Sequence, residues 1–300
     1  MRVLLTGGTG FVGKSILDEL IRNGHTVRLL VRDPARFKPR VPGVEPVRGN
    51  ILAPEGLTES AQGTEAIIHL VGIISECGSN TFEQVHVEGT RSVVNAARNA
   101  GIRRFIHMSA LGTRPQAVSR YHQSKYAAEE SVRNSGLDYS VFRPSLIYGP
   151  DDQFVNLFAK ISRWSPFLPV MGTGTSRMAP IAVESVAKAF VGALSEPSSI
   201  GKTYDLCASE TLSFDGILRT ILLVLGRRRL LLHIPLPVAR AQAGFLEFLY
   251  GRLLEVPPPL NRDQLIMLQE DNVGDAAPAS ALFNLPEERF ADGIRRFLAG

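Results

Sequence analysis

Residues 1–13 read Met1-Arg2-Val3-Leu4-Leu5-Thr6-Gly7-Gly8-Thr9-Gly10-Phe11-Val12-Gly13. The apolar run Val3–Leu5 has the length and composition of a buried strand. Glycines at 7, 10 and 13 follow at once. Beyond them Val12, Ile16, Leu17, Leu20 and Ile21 recur at helical spacing. A strand, a tight glycine loop and a helix N-terminus together make an anion site. The loop amides and the helix dipole point at a phosphate, and the missing side chains let the backbone come close. The spacing is G-x-x-G-x-x-G rather than G-x-G-x-x-G, but its place between a strand and a helix is the context such a loop requires. Thr6, Gly7, Gly8, Thr9, Gly10, Phe11, Val12 and Gly13 are therefore the first candidate binding residues for a dinucleotide.

Outward from this loop, strands and helices alternate. Gly24-His25 reads as the stop of the first helix. Strands are expected at 25–31, 44–47, 66–71, 105–108 and 139–142. Helices are expected at 57–61, 82–99 and 121–135. Such alternation predicts an α/β fold, a doubly wound parallel sheet with helices on both faces. Ligands in these sheets lie outside the carboxyl ends of the strands. Arg32 ends the second strand, where an NAD-binding chain usually carries an acidic residue. A guanidinium there suits a 2′-phosphate, so NADP is expected, with NAD left open by the neighbouring Asp33. Arg36, Lys38 and Arg40 add positive charge, as ligand contacts or as a solvated loop. Asn50 and Ile51, after the third strand, are candidate adenine contacts or a plain turn. Leu70, Val71 and Gly72 end the fourth strand. Pro144 and Ser145 follow the sixth, where the nicotinamide end would lie.

Chemistry concentrates between the fifth and sixth strands. Ser109 ends a strand, and Tyr121 and Lys125 open the next helix four residues apart, on one face. A cation beside a phenol favours the phenolate and lowers its pKa. Such a tyrosine can exchange a proton with a carbonyl or alcohol oxygen near neutral pH, while Ser109 hydrogen-bonds the same oxygen.

Together these residues resemble the extended and atypical short-chain dehydrogenase/reductases. Residues 6–13 look like their T-G-x-x-G-x-x-G loop, and Ser109, Tyr121 and Lys125 like their Ser–Tyr–Lys triad. Val87-Glu88-Gly89-Thr90 looks like their N-x-x-G-T segment, with His86 where an Asn is usual. Arg143-Pro144 and Tyr148-Gly149-Pro150 look like their R-P-x-x-x-Y-G-P loop. The match covers residues 1 to about 210. In the second half, residues 178–187, 258–265 and 270–273 are similar to bacterial relatives of the nucleotide-binding accessory subunit of respiratory complex I. The resemblance implies a Rossmann-type core with a smaller C-terminal α/β cap, bound NADP(H), and either a catalytic or a purely structural role. It also implies that Lys125 binds ribose. A monomer and a dimer through the helices 82–99 and 121–135 are both compatible with it.

The division expected is a dinucleotide-binding core over 1–150, with 178–210 returning to it, and a substrate or interaction cap over 151–300. In the cap, helices are expected at 153–161, 183–194, 214–225, 260–268 and 286–298. Strands are expected at 178–181, 203–207 and 230–234. Gln153, Phe154, Arg163, Trp164 and Arg177 are candidate substrate-pocket residues. Over 237–254, Val238, Ala241, Gly244, Phe245, Phe248, Leu249 and Leu253 fall on one side of a helix, with Arg240, Gln242, Glu247 and Arg252 largely elsewhere. That face either packs on its own domain or contacts a membrane surface or partner protein.

Composition narrows the function classes. The net charge of +4 over 300 residues argues against nucleic acid. Two cysteines, Cys77 and Cys207, give no disulfide framework, and the six histidines have no ligand spacing, so no metal is expected. No apolar run reaches transmembrane length and no signal peptide is read, so a cytoplasmic protein is expected, or one peripheral at the inner face of a membrane. The leading reading is an NADP-dependent oxidoreductase acting on a carbonyl or alcohol of unknown structure. The alternatives are a non-catalytic NADP(H)-binding subunit of a respiratory or membrane assembly, and a nucleotide-sugar epimerase or dehydratase.

Overall fold

The structure, a computed structural model, describes residues 1–37, 42–254 and 256–298. Lys38 and Arg40, read above as part of a basic loop, lie outside the described residues, as do the side chains of Arg36, Arg252 and Leu253.

The first six strands fall on the segments expected from the sequence. These are β1 (Arg2–Thr6), β2 (Thr26–Val31), β3 (Val44–Arg48), β4 (Ala66–His69), β5 (Arg104–Met108) and β6 (Asp138–Pro144). Between them lie α1 (Phe11–Arg22), α2 (Leu57–Ala61), α3 (Gly89–Asn99) and α4 (Arg120–Arg133). Further on, β7 (Ile147–Tyr148), α5 (Phe154–Trp164), β8 (Phe167–Met171), β9 (Arg177–Met178) and β10 (Ile181–Ala182) precede α6 (Val183–Gly192) and β11 (Lys202–Leu206). The chain closes with β12 (Leu212–Ser213), α7 (Phe214–Val224), β13 (Leu230–Ile234), α8 (Leu236–Leu246), α9 (Arg262–Met267), α10 (Ala277–Phe283) and α11 (Phe290–Leu298).

Among the described residues the main sheet has seven strands in the order β11-β6-β5-β4-β1-β2-β3, and every pair in it is parallel. The chain winds from β1 to β3 in one direction, then returns to the other side of β1 with β4. The switch point, and the crevice it opens, therefore lies between β1 and β4. Strand alternation sends residues to both faces. Val3, Leu5, Ile68, Ile106 and Phe142 pack with Ile16, Leu20, Phe190 and Phe283 of α1, α6 and α10. Leu4, Ile67, Phe105 and Val141 pack with Leu57, Val93 and Val132 of α2, α3 and α4. A separate core joins Val155, Phe158, Leu168, Val170, Phe214, Ile217, Ile221 and Phe290 of α5, β8, α7 and α11.

The differences from the sequence reading have local causes. The helix expected from residue 82 opens with a π-helical segment, Glu83–Glu88, before α3. The strand expected at 178–181 is two separate two-residue strands, because β9 pairs with β12 and β10 with β7. The helix expected from residue 286 starts only at Phe290. Neither β8 nor α10 was anticipated. β8 is a strand because β13 pairs with it along its whole length, and α10 is a helix only seven residues long that is fixed by burying Phe283. The helix over 237–254 is α-helical to Leu246 and π-helical over Glu247–Leu254, and α8 buries Ala239 and Ala243 rather than its large apolar residues. Among the described residues no helix is long and apolar enough to cross a membrane, and no cluster of three or more His, Cys, Asp or Glu residues could hold a metal.

Candidate dinucleotide and proton-transfer site

Three of the four glycines of the first loop, Gly7, Gly10 and Gly13, do different jobs. Gly7 has φ +78°, a left-handed conformation that turns the chain out of β1. Gly13 is buried against the loop: a Cβ there would sit 2.5 Å from Gly8 Cα and 2.8 Å from Gly8 C. Gly10 is different. Its φ of −77° and ψ of 175° suit any residue, and a Cβ would meet only Gly7 O, at 3.5 Å. Nothing within the protein requires glycine at this exposed position. Gly10 is also the N-cap of α1 with no side-chain cap, and the first turn holds no acidic residue. The orphan amides and the positive end of the helix dipole are thus left open to an anion, which could come closer here than a side chain would permit. The residues present fit the diphosphate of a dinucleotide.

This loop is continuous with the groups that could handle a proton. A Cβ on Gly7 would touch Leu70 C and Val71 N, both at 3.1 Å, so Leu70–Gly72 lies directly against it. Gly72 in turn faces His86 and Lys125: a Cβ on it would be 3.4 Å from His86 Nε2 and 3.8 Å from Lys125 Nζ. Lys125 is buried and donates to Met108 O at 2.6 Å, the residue before Ser109. Tyr121 lies one turn earlier on α4, half-buried among Phe82, His86 and His122. Ser109 is buried, and its hydroxyl lies 3.4 Å from Thr113 Oγ1.

The electrostatics differ from the expectation for Tyr121. The phenol is pushed up to about 12 by burial, not down. Lys125 donates its ammonium to the Met108 carbonyl, and burial holds that ammonium down at about 8. Tyr121 is therefore a neutral proton donor at pH 7. His86 is fixed by its neighbours: Nε2 accepts from Ile73 N at 3.0 Å, so Nδ1 carries the proton and faces Ser124 Oγ at 2.8 Å. Burial, with the Lys125 charge, lowers its pKa to about 2.

The remaining predicted residues are spread along the same strand ends. The Thr6 hydroxyl is 2.6 Å from His69 Nδ1, and His69 Nε2 is 3.1 Å from Thr90 Oγ1, so Thr6 ties β1 to β4 beneath the loop. Thr9 is exposed beside Gly10, Val12 packs on the core, and Phe11 packs on Gly149. Arg32 is exposed at the end of β2, next to an Asp33 that caps the short turn Pro34–Arg36. Asn50 Oδ1 accepts from Leu52 N at 3.1 Å, and Ile51 is buried against Gly89. Pro144 is buried, while Ser145 Oγ lies 2.9 Å from Asn272 O and 2.5 Å from Asn272 Oδ1. Of the expected pocket residues, Trp164 and Arg163 are exposed at the end of α5, and Arg177 pairs with Asp271.

Two residues that shape the site carried no signal of their own in the sequence. Asp263 accepts from Arg120 N at 2.8 Å, Tyr121 N at 3.0 Å and Ser119 Oγ at 2.8 Å, so α9 caps the N-terminus of α4. Glu129, fully buried on α4, is clamped by Arg133 and by Arg143 at 2.7 and 2.8 Å, which ties α4 to the end of β6. An Asn-x-Asp-Gln helix start after three prolines is the only hint of the first, and the Arg-Pro pair the only hint of the second.

The family model described as NAD(P)H-binding matches residues 7–197. A ceramide reductase from Caulobacter vibrioides is 40% identical over 191 residues, which are 63% of this chain and 59% of that protein. A mitochondrial NADH dehydrogenase [ubiquinone] 1 alpha subcomplex subunit 9 from Arabidopsis thaliana is 28% identical over 89% of this chain and 67% of its own length. The alignments thus span about three-fifths to two-thirds of these relatives. Among solved structures, the dTDP-glucose 4,6-dehydratase DesIV from Streptomyces venezuelae, with NAD and TYD bound, superposes with a TM-score of 0.78 at 20% identity, covering 100% of this chain and 96% of that one. At that identity the likeness concerns the fold.

Proposed function

The chain belongs to the NAD(P)H-binding family, within the extended and atypical short-chain dehydrogenase/reductases, and from that premise we propose that it is an NADP(H)-dependent oxidoreductase acting at a carbonyl or alcohol. The observation that carries the proposal is the run of contacts from Gly7 and Gly10, through Leu70–Gly72, to Lys125 and to His86, against which Tyr121 packs. When bound, the dinucleotide would supply or accept a hydride. The protein's own groups do the rest. The loop amides and the α1 N-terminus hold the diphosphate. Arg32 stands where a 2′-phosphate would be met, which favours NADP over NAD. Lys125, largely protonated below pH 8, donates to a ribose hydroxyl and steadies the peptide that precedes Ser109. Ser109 hydrogen-bonds the substrate oxygen. Tyr121, protonated at neutral pH, donates its proton to that oxygen in the reducing direction.

A second reading is supported by α8. Val238, Phe245 and Phe248 are all more than half exposed, so this helix presents apolar surface that its own domain leaves uncovered. A structural NADP(H)-binding subunit that docks on a protein assembly through 237–254 would need such a face. The experiment begins with thermal stability in NADP+, NADPH, NAD+ and NADH. Oxidation of the reduced cofactor is then followed over a panel of carbonyl compounds, long-chain lipid carbonyls included because the Caulobacter relative is a ceramide reductase. Turnover that falls about 10²–10⁴-fold in Tyr121→Phe, with nucleotide stabilisation retained, supports the enzyme. Stabilisation without turnover on any substrate supports the subunit. No stabilisation by any nucleotide overturns both.

A further inference from the structure

We propose that the distal end of the cap, formed by the end of α5, the two-stranded β8–β13 ribbon and the end of α7, docks on an anionic lipid surface. The charge distribution comes first. Neither 153–183 nor 216–246 contains a single Asp or Glu. These two stretches hold eight of the 33 Lys and Arg residues and none of the 29 acids, which leaves the rest of the chain net acidic by four. Within the C-terminal half, which is otherwise acidic, positive charge is thus concentrated in these two stretches.

The structure brings much of that charge to one end and mixes it with exposed apolar side chains. β13 runs parallel to β8 with Leu230 opposite Phe167 and Leu232 opposite Pro169. The inward residues Leu168 and Val170 are fully buried, whereas Phe167, Leu230 and Leu232 on the other face are exposed. An open groove of 530 Å³ runs along this end between Pro166, Phe167, Arg219, Leu223, Arg228 and Leu230. Leu223 is 74% exposed and Trp164, at the end of α5, is 79% exposed with the Arg163 guanidinium 5.4 Å above its ring. Arg227 and Arg229 spend their donors on α5, at Ala159 O, Ser162 Oγ and Ser162 O, all at 2.8 Å. Lys160, Arg163, Arg219 and Arg228 are exposed and have no carboxylate partner among the described residues.

Unpaired cations, single protruding leucines and a lone tryptophan fit the boundary between headgroups and acyl chains. There guanidinia meet phosphates, the indole sits half wet, and leucines reach the apolar layer. The surface is separate from α8, which follows β13 at the opposite end of the ribbon, and the inference holds whether or not the protein turns over a substrate.

Trp164 is the only tryptophan in the chain, so its emission reports this surface alone. The full-length protein is titrated with vesicles of phosphatidylcholine, with and without phosphatidylglycerol, and vesicle sedimentation is run in parallel. A blue shift with phosphatidylglycerol vesicles, reversed by salt, and quenching by brominated acyl chains are expected. Each neutralised arginine should weaken partition about fivefold, so Arg163→Gln with Arg219→Gln and Arg228→Gln should weaken it on the order of a hundredfold. The three side chains are exposed, and unchanged thermal stability of the triple variant checks the fold. Phe245→Ser on α8 should leave the shift intact. No shift with either vesicle overturns the proposal. So does sedimentation without a change in Trp164 emission, or a triple variant that binds as tightly as the parent.

Discussion

Substituting Gly10 by alanine separates the ligand from the fold. At Gly10 the backbone suits alanine, and the new methyl would meet only Gly7 O, at 3.5 Å. Removing a glycine from the unfolded chain stabilises by about 0.4–1 kcal/mol. Losing glycine at an N-cap costs a similar amount. The free variant should therefore stay within about 1 kcal/mol of the parent. The methyl would, however, project into the space at the α1 N-terminus that a diphosphate needs. A nucleotide at 100 times its Kd stabilises the folded state by about 2.7 kcal/mol. A hundredfold loss of affinity would cut that to about 0.4 kcal/mol. Gly13→Ala is the contrast, because its methyl would fall 2.5 Å from Gly8 Cα. That overpacking should cost about 1–3 kcal/mol without any ligand. The assay is urea denaturation of parent and both variants, with and without NADPH at one fixed concentration. If Gly10→Ala keeps the full NADPH stabilisation, the nucleotide does not lie against this loop as reasoned. If the free variant loses several kcal/mol, the space is not open.

Three further outcomes follow from the same geometry. Burial lowers His69 to about 3 and His86 to about 2. The unfolded chain therefore takes up protons below pH 6.5 that the folded chain refuses, and stability falls as pH drops from 6.5 toward 3. At about 1.4 kcal/mol per unit and group, the two together remove about 5 kcal/mol by pH 4.5. Urea midpoints at pH 7, 5.5 and 4.5 check this, and a flat response would sink it. Arg143→Ala leaves the buried Glu129 with Arg133 as its remaining ion-pair partner and should cost about 3–5 kcal/mol. A loss below 1 kcal/mol in chemical denaturation would show that the pair contributes little. Asp263→Ala removes the carboxylate that accepts from the Arg120 and Tyr121 amides, and should cost about 0.5–2 kcal/mol. Hydrogen exchange at those two amides should rise with it, and unchanged protection would mean that α9 does not secure the start of α4.

The features legible from the sequence are those whose causes lie within a few residues. The glycine loop, the alternation of strands and helices, and the i, i+4 relation of Tyr121 and Lys125 all depend on local conformation. Periodicity and glycine spacing therefore sufficed for them. The same reasoning failed where partners are remote. Phe167–Met171 is a strand because residues 230–234 pair with it. The face of α8 that packs carries Ala239 and Ala243, against Met171, Ile234, Leu260 and Leu265, while Phe245 stays exposed. The pKa of Tyr121 rises rather than falls because the phenol is buried. Sequence alone thus determined which groups are present and which way the local chain runs. Only the tertiary structure decided what each group is buried against, and burial and distance set both proton affinity and exposure.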